Sequence, residues 1–208
     1  MKKMRVKLTF IEPILGTCPT NEDIYRDFIG SKSPDVQSVE DEVAALGADA
    51  VAEKGMTVFP RTEDGIPFLY DYQVKGFFKD SCGVLSRLTG KDENGKKKKA
   101  VNESSKIKAY KKEIDGLIFP QPRRIVFENY GEIRKCERPL RAQTMQGERV
   151  SLACSEEIPA GATITFDIVM LSDDHEAAVR EWLDYGCLRG IGQWRNSGKG
   201  RFTWEEIA

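Results

Sequence analysis

A chain of 208 residues, 40% hydrophobic and 31% charged, is long enough to fill the core of one large domain and polar enough to solvate its surface. Its net charge of −1 excludes a polycation, so any nucleic-acid contact must come from a local basic patch. No apolar run of roughly 18 residues is present to span a membrane. The basic start at Met1–Arg5 has no apolar stretch behind it, so a secretory signal is not expected. Five scattered cysteines without a Cys-x-x-Cys pair, and a single histidine, argue against a disulfide framework, a zinc site and a Ser-His-Asp triad. The expectation is a cytoplasmic protein with no metal and no cofactor.

The elements follow in chain order. Met4–Phe10 alternates apolar and polar residues, as a half-buried strand does. Thr20 precedes a short helical stretch to Ile29, with Asp23 in the capping-box position, and residues 38–53 carry a loose helical stripe. Met56–Phe59 reads as a short strand. Gln73–Leu88 is predicted as a helix, since Val74, Phe77, Phe78, Val84, Leu85 and Leu88 fall at helical spacing. Residues 89–105 form a polar, low-complexity loop. Tyr110–Phe127 is predicted to hold one or two strands broken near Pro120 and Pro122, and Arg149–Leu152 a short one. Ala162–Leu171 is a strand rich in β-branched residues. A helix then follows with Asp173 as N-cap and Glu176 three residues on. Gly190 and Gly192 end it, and Gly200–Trp204 returns as a strand.

Charge is unevenly placed. Residues 20–64 carry 11 acidic and 4 basic side chains, whereas residues 91–112 carry nine lysines against three acids. Opposite blocks of this kind form either separate solvated faces or a surface that meets itself head-to-tail. The segment Arg189–Phe202, RGIGQWRNSGKGRF, interleaves four glycines with Arg189, Arg195, Lys199 and Arg201. Glycine lets a backbone approach a ligand closely, exposed amides cradle phosphate oxygens, and arginine grips them bidentately. Trp194 is a candidate base-stacking platform. The spacing is not that of a Walker loop, and the segment follows a helix rather than preceding one, which excludes that nucleotide-binding motif. The alternative is a helix cap and tight turn into an edge strand.

A strand, a helix, a glycine-rich basic loop and a last strand together resemble the C-terminal half of the RAMP superfamily of CRISPR RNA-binding proteins. Three other stretches are similar to its backbone subunits: Val6–Gly16 (VKLTFIEPILG), Tyr72–Lys79 (YQVKGFFK) and Ser155–Ile168 (SEEIPAGATITFDI). The chain also resembles proteins that recur in phages and prophages. The resemblance implies an α+β fold: one domain over 1–208 with a ferredoxin-like (RRM-like) β-α-β-β-α-β core, insertions including a lysine-rich one at about 89–112, and a C-terminal glycine-rich loop. It also implies single-stranded RNA held along its backbone without sequence reading, with further copies of the chain in a head-to-tail oligomer, or CRISPR effector subunits, as partners. The bulky Gln193–Ser197 stretch and the lysine-rich insertion depart from the family pattern.

The candidate nucleic-acid-binding residues are Lys75, Lys79, Arg138, Arg141, Arg189, Gly190, Gly192, Trp194, Arg195, Lys199 and Arg201. Lys75 and Lys79 share one helix face, where in the family basic residues meet RNA; a solvated helix face is the alternative. Arg138 and Arg141 lie in a cluster of arginines and an amide. Lys96–Lys99 either reach phosphates or keep a loop soluble. The leading expectation is a non-catalytic RNA-binding protein acting in, or against, CRISPR-type immunity, possibly phage-encoded. The alternatives are a RAMP-type endoribonuclease and an anti-defence protein that mimics a CRISPR subunit and binds protein. If RNA is cleaved, the catalytic candidates are Asp23, Asp27 and His175, each read first as a surface residue.

Overall fold

A computed structural model describes residues 1–19, 56–91, 96–99, 101–144 and 147–207. The helical stretches expected at 20–29 and 38–53, with Asp23 and Asp27, lie outside the described residues, as does most of the acidic block.

The main sheet is built on β1 (Lys2–Phe10) and β12 (Thr163–Met170), which pair antiparallel from Lys2↔Met170 to Thr9↔Thr163. β13 (Phe202–Glu206) adds antiparallel to the free side of β1. On the far side of β12 lie β8 (Ile118–Gln121) and β9 (Arg124–Glu128), and β5 (Phe68–Tyr70) pairs with β9 at that edge. The strand order is β13-β1-β12-β9-β5, with β8 also on β12.

Period-two alternation decides which face is covered. β1 buries Met4, Val6, Leu8 and Phe10 and turns Lys3, Arg5, Lys7 and Thr9 the other way. On that polar face Lys3 pairs with Asp167 at 2.9 Å. The apolar face is roofed by α1 (Asp71–Leu85), through Val74, Phe77, Phe78 and Cys82, and by α4 (Glu176–Arg189), through Ala178, Val179, Trp182 and Leu183. Trp182 and Phe78 meet at 5.4 Å between ring centroids. Two shorter helices, α2 (Glu103–Lys106) and α3 (Tyr110–Leu117), fill in beside them. α2 is tied to α4 by Glu181, which accepts from the Ser104 amide at 2.9 Å, while Trp182 Nε1 donates to the Ser104 hydroxyl at 2.9 Å. Among the described residues no helix is long and apolar enough to cross a membrane.

A second sheet has the order β10-β11-β4-β3, formed by β10 (Arg134–Thr144), β11 (Gly147–Ile158), β4 (Thr57–Val58) and β3 (Cys18–Pro19), with β2 (Ile14–Leu15) also on β11. β10 and β11 make a long antiparallel hairpin from Arg134↔Glu157 to Thr144↔Gly147.

Several local expectations fail for physical reasons. Residues 89–91 and 97–99 pair as a small hairpin, β6 (Thr89–Lys91) with β7 (Lys97–Lys99), rather than forming a plain loop. The strand expected from Tyr110 begins as helix α3, because Ile114 and Leu117 bury against the core. β10 is invisible in the sequence: five of its eleven residues are charged and Pro139 interrupts them, which a strand paired along one side only, among the described residues, tolerates. The last long helix is led in by a 3₁₀ turn at Asp173–His175, capped by Ser172 rather than Asp173. The Ser172 hydroxyl accepts from the Asp174 amide at 3.4 Å.

Candidate nucleic-acid interface

The glycine-rich segment leaves α4 and enters β13, and it is folded tightly onto itself. Ile191 N donates to Gly200 O at 2.9 Å, and Gly200 N donates to Pro13 O at 2.8 Å. Two of its glycines are required by this packing. A Cβ at Gly200 would lie 1.9 Å from Ile191 O, and one at Gly190 would lie 2.6 Å from Lys199 O; both residues hold positive φ, at 72° and 74°. These two glycines bring backbone to backbone rather than backbone to ligand. Gly192 (φ 90°) and Gly198 (φ 88°) shape the turns between.

Each of the four loop cations is held from within. Asp80 of α1 accepts from Arg189 Nε at 2.8 Å and from Arg195 Nη1 at 2.7 Å. Lys199 pairs with Glu157 of β11 at 2.5 Å, and Arg201 Nε donates to the Cys187 carbonyl at 2.7 Å, closing the end of α4. Burial alone would raise the Asp80 carboxyl, but its hydrogen bonds and charge pairing with Arg189 and Arg195 outweigh that and hold it below the usual carboxylate range. The same hydrogen bond from Arg189 to Asp80 raises the Arg189 guanidinium further. Among the described residues most N–H groups of these arginines are unspent: Arg195 has five, and there only Nη1 is engaged. Asp80 therefore lowers the net charge of the loop while fixing two of its cations in place.

Trp194 and Arg138 form the unusual part of the site. Trp194 sits in the left-handed region at φ 55°, ψ 34°, a conformation costing a bulky residue roughly 1–2 kcal/mol, and it is 39% exposed. Beneath it lies Arg138 of β10, 7% exposed, with its guanidinium carbon 4.8 Å from the Trp194 ring centroid. Arg138 Nη2 donates to Gln193 Oε1 at 2.9 Å. Its Nε and Nη1 are buried without a hydrogen-bond partner among the described residues. Unspent donors on a buried cation are costly, and here they lie beneath an exposed aromatic ring.

The other sequence candidates are placed elsewhere. Lys75 and Lys79 face α3, not the glycine-rich loop: Lys75 donates to the Asp115 carbonyl at 3.0 Å and covers the Phe119 ring at 4.3 Å, while Lys79 pairs with the Asp115 carboxylate at 2.6 Å. Burial pushes the Lys75 pKa down, against the pull of Asp115 and Asp71. The Arg141 backbone pairs with Val150, and its side chain lies outside the described residues. His175, expected as a surface residue, is 7% exposed; Nε2 meets Glu113 Oε2 at 3.4 Å, because the 3₁₀ turn folds the ring in against α3.

Sequence reading missed Asp80 and Glu157, which organise the loop from other elements, and Gln193, through which the loop meets Arg138. It also missed a stack of Tyr70 on Tyr72 (5.2 Å, 16°), with Arg123 5.7 Å from both rings. The alternation of Phe68, Tyr70 and Tyr72 was the available signal.

No family model matches the chain, and no curated protein matches it. Among solved structures, it is similar to a chain of the cryo-EM structure of the Type III-B Cmr-beta bound to cognate target RNA. The TM-score is 0.51 at 12% identity, with all of this chain covered; it spans 60% of that chain's length. At this identity the likeness is one of fold alone, and that fold is a mixed α+β one with mainly antiparallel sheets.

Proposed function

We propose that this chain is an RNA-binding protein of RAMP type, which holds single-stranded RNA on the glycine-rich loop with the Trp194–Arg138 stack beside it. In this reading the order β1-α1-β8/β9-β12-α4-β13 is a ferredoxin-like core, and the β10–β11 hairpin is an insertion that delivers Arg138 to the loop. The observation that carries the proposal is Arg138: a buried guanidinium with two nitrogens unpartnered among the described residues, supporting an exposed tryptophan held at positive φ. Arg189 and Arg195 lie beside Trp194 with donors that are already immobilised on Asp80, and Lys199 is held on Glu157 in the same loop, which lowers the entropy lost when phosphate binds. The RNA on the Cmr-beta neighbour supports the same class of ligand. The working context is a CRISPR-type effector, as a subunit or an antagonist of one.

Titration of labelled single-stranded RNA over a salt series tests the reading. The wild type is expected to bind with an affinity that falls as salt rises. Arg195→Ala combined with Lys199→Ala is expected to weaken binding and flatten the log–log salt slope by about 0.7 for each phosphate no longer neutralised. A folded double variant with unchanged affinity and slope removes the loop from the interface, and a wild type that binds no RNA overturns the proposal.

A further inference from the structure

We propose that the cavity between α1 and the glycine-rich loop receives a single RNA base and selects bases with an acceptor-bearing edge; this rests on the RNA-binding reading above and adds base selection to it. The cavity measures ≈ 270 Å³. A dry cavity of about 150 Å³ accepts a benzene ring, so a one-ring or two-ring heterocycle has room here. Leu69, Phe77 and Ile191 supply apolar surface from the core for the face of a base.

The polar groups at this cavity are fixed before any ligand arrives. The Gln73 Oε1 accepts from the Tyr70 amide at 2.8 Å, and its Nε2 donates to the Thr17 hydroxyl at 2.5 Å. Thr17 accepts from Gln73 and its O–H is turned to the Cys18 sulfur, so among the described residues the open donor of this pair is the second N–H of Gln73. Arg195, anchored on Asp80 through Nη1, brings its remaining N–H groups to the same rim. Gln73 Oε1 is already used, so what is left is a set of donors. Donors reward an edge with adjacent acceptors, such as O6 and N7 of guanine, and leave the N6 amino group beside N7 or N1 of adenine unmatched.

Two glycines keep the cavity open. Gly192 is on the loop wall, and Gly76 is on α1, where an added Cβ would meet nothing within 4 Å. An open wall rather than a packed one is what a glycine at Gly76 provides, at the expense of helix propensity. Gly192 and Arg195 also line the shelf that carries Trp194, so the cavity is continuous with the proposed RNA path.

Abasic scanning tests the proposal. A single abasic nucleotide is walked along a short single-stranded RNA, and affinity is measured for each strand. The wild type is expected to bind about tenfold more weakly when the abasic site occupies one particular position, and to prefer guanine over adenine there. Gly76→Leu, which fills the opening, is expected to bind every strand as weakly as the wild type binds that one abasic strand. A flat scan across an RNA that binds overturns the pocket and leaves the RNA reading standing, and this arm needs no variant to fold. A position dependence that persists in Gly76→Leu also overturns it. Absence of RNA binding by the wild type overturns both.

Discussion

The glycine-rich loop and the lysine-rich region before it carry similar cations in opposite physical states. In the loop, Arg189 and Arg195 share Asp80, Lys199 holds Glu157 and Arg201 caps α4. On α3, Lys111 and Lys112 are exposed, as is Lys108 just before it, and the pair Lys106–Glu103 is a local i, i+3 contact at 2.6 Å. A flexible exposed lysine must be ordered when it binds, and that entropy cost offsets much of the Coulombic gain. Density of charge is the weaker indicator of a binding site; cations already held at fixed positions beside an exposed ring are the stronger one.

The glycines of the two regions break this comparison most sharply. Gly200→Ala puts a methyl 1.9 Å from a carbonyl at positive φ and is expected to destabilise the fold by about 3 kcal/mol or more. Gly90→Ala, in the lysine hairpin, meets nothing within 4 Å and is expected to stay within about 0.5 kcal/mol. Equal effects in thermal melts would show that the loop is not the more tightly built of the two.

Trp194 sharpens it next. Trp194→Gly removes the ring but relieves the left-handed backbone, so stability is expected to hold within about 1 kcal/mol of the wild type. RNA affinity is expected to fall roughly tenfold, the loss of one stacked base. A large loss of stability with no loss of affinity would make Trp194 a packing residue instead.

The smallest expected effect concerns Asp80. Its carboxyl is held below its ordinary value, so its contribution to stability is present above the unfolded value near ~4 and is lost as pH falls through the lower folded value. Asp80→Asn is expected to cost about 1 kcal/mol at neutral pH, given the partial exposure of the pairs. The gap between wild type and variant is expected to shrink below about pH 4. Chemical denaturation at neutral and acid pH reads this directly, and a gap that does not change with pH would show that the Asp80 pairs add nothing as charges.

Much of the frame was legible from local pattern. β1 announced itself by alternation, β12 by its β-branched residues, α1 and α4 by helical spacing, and the loop by glycine and charge. β10 was not legible, because its charged residues carry no periodicity and only pairing with β11 makes them regular. α3 was overlooked although Tyr110, Ile114 and Leu117 fall at helical spacing, because it is short and runs directly into the strand at Ile118. The expected cap at Asp173 failed because Ser172, one residue earlier, competes for the same amides.

Sequence alone therefore determined where the chain alternates, where it turns and which segment concentrates cations with glycine, since each depends on residues within a few positions of one another. Tertiary structure decided the character of that segment. Arg195 meets Asp80 across 115 positions, Lys199 meets Glu157 across 42, and Arg138 meets Gln193 across 55. No local pattern encodes those separations. Only the stacking of α1 against the loop, and the reach of the β10–β11 hairpin to it, converts scattered charges into fixed donors around Trp194.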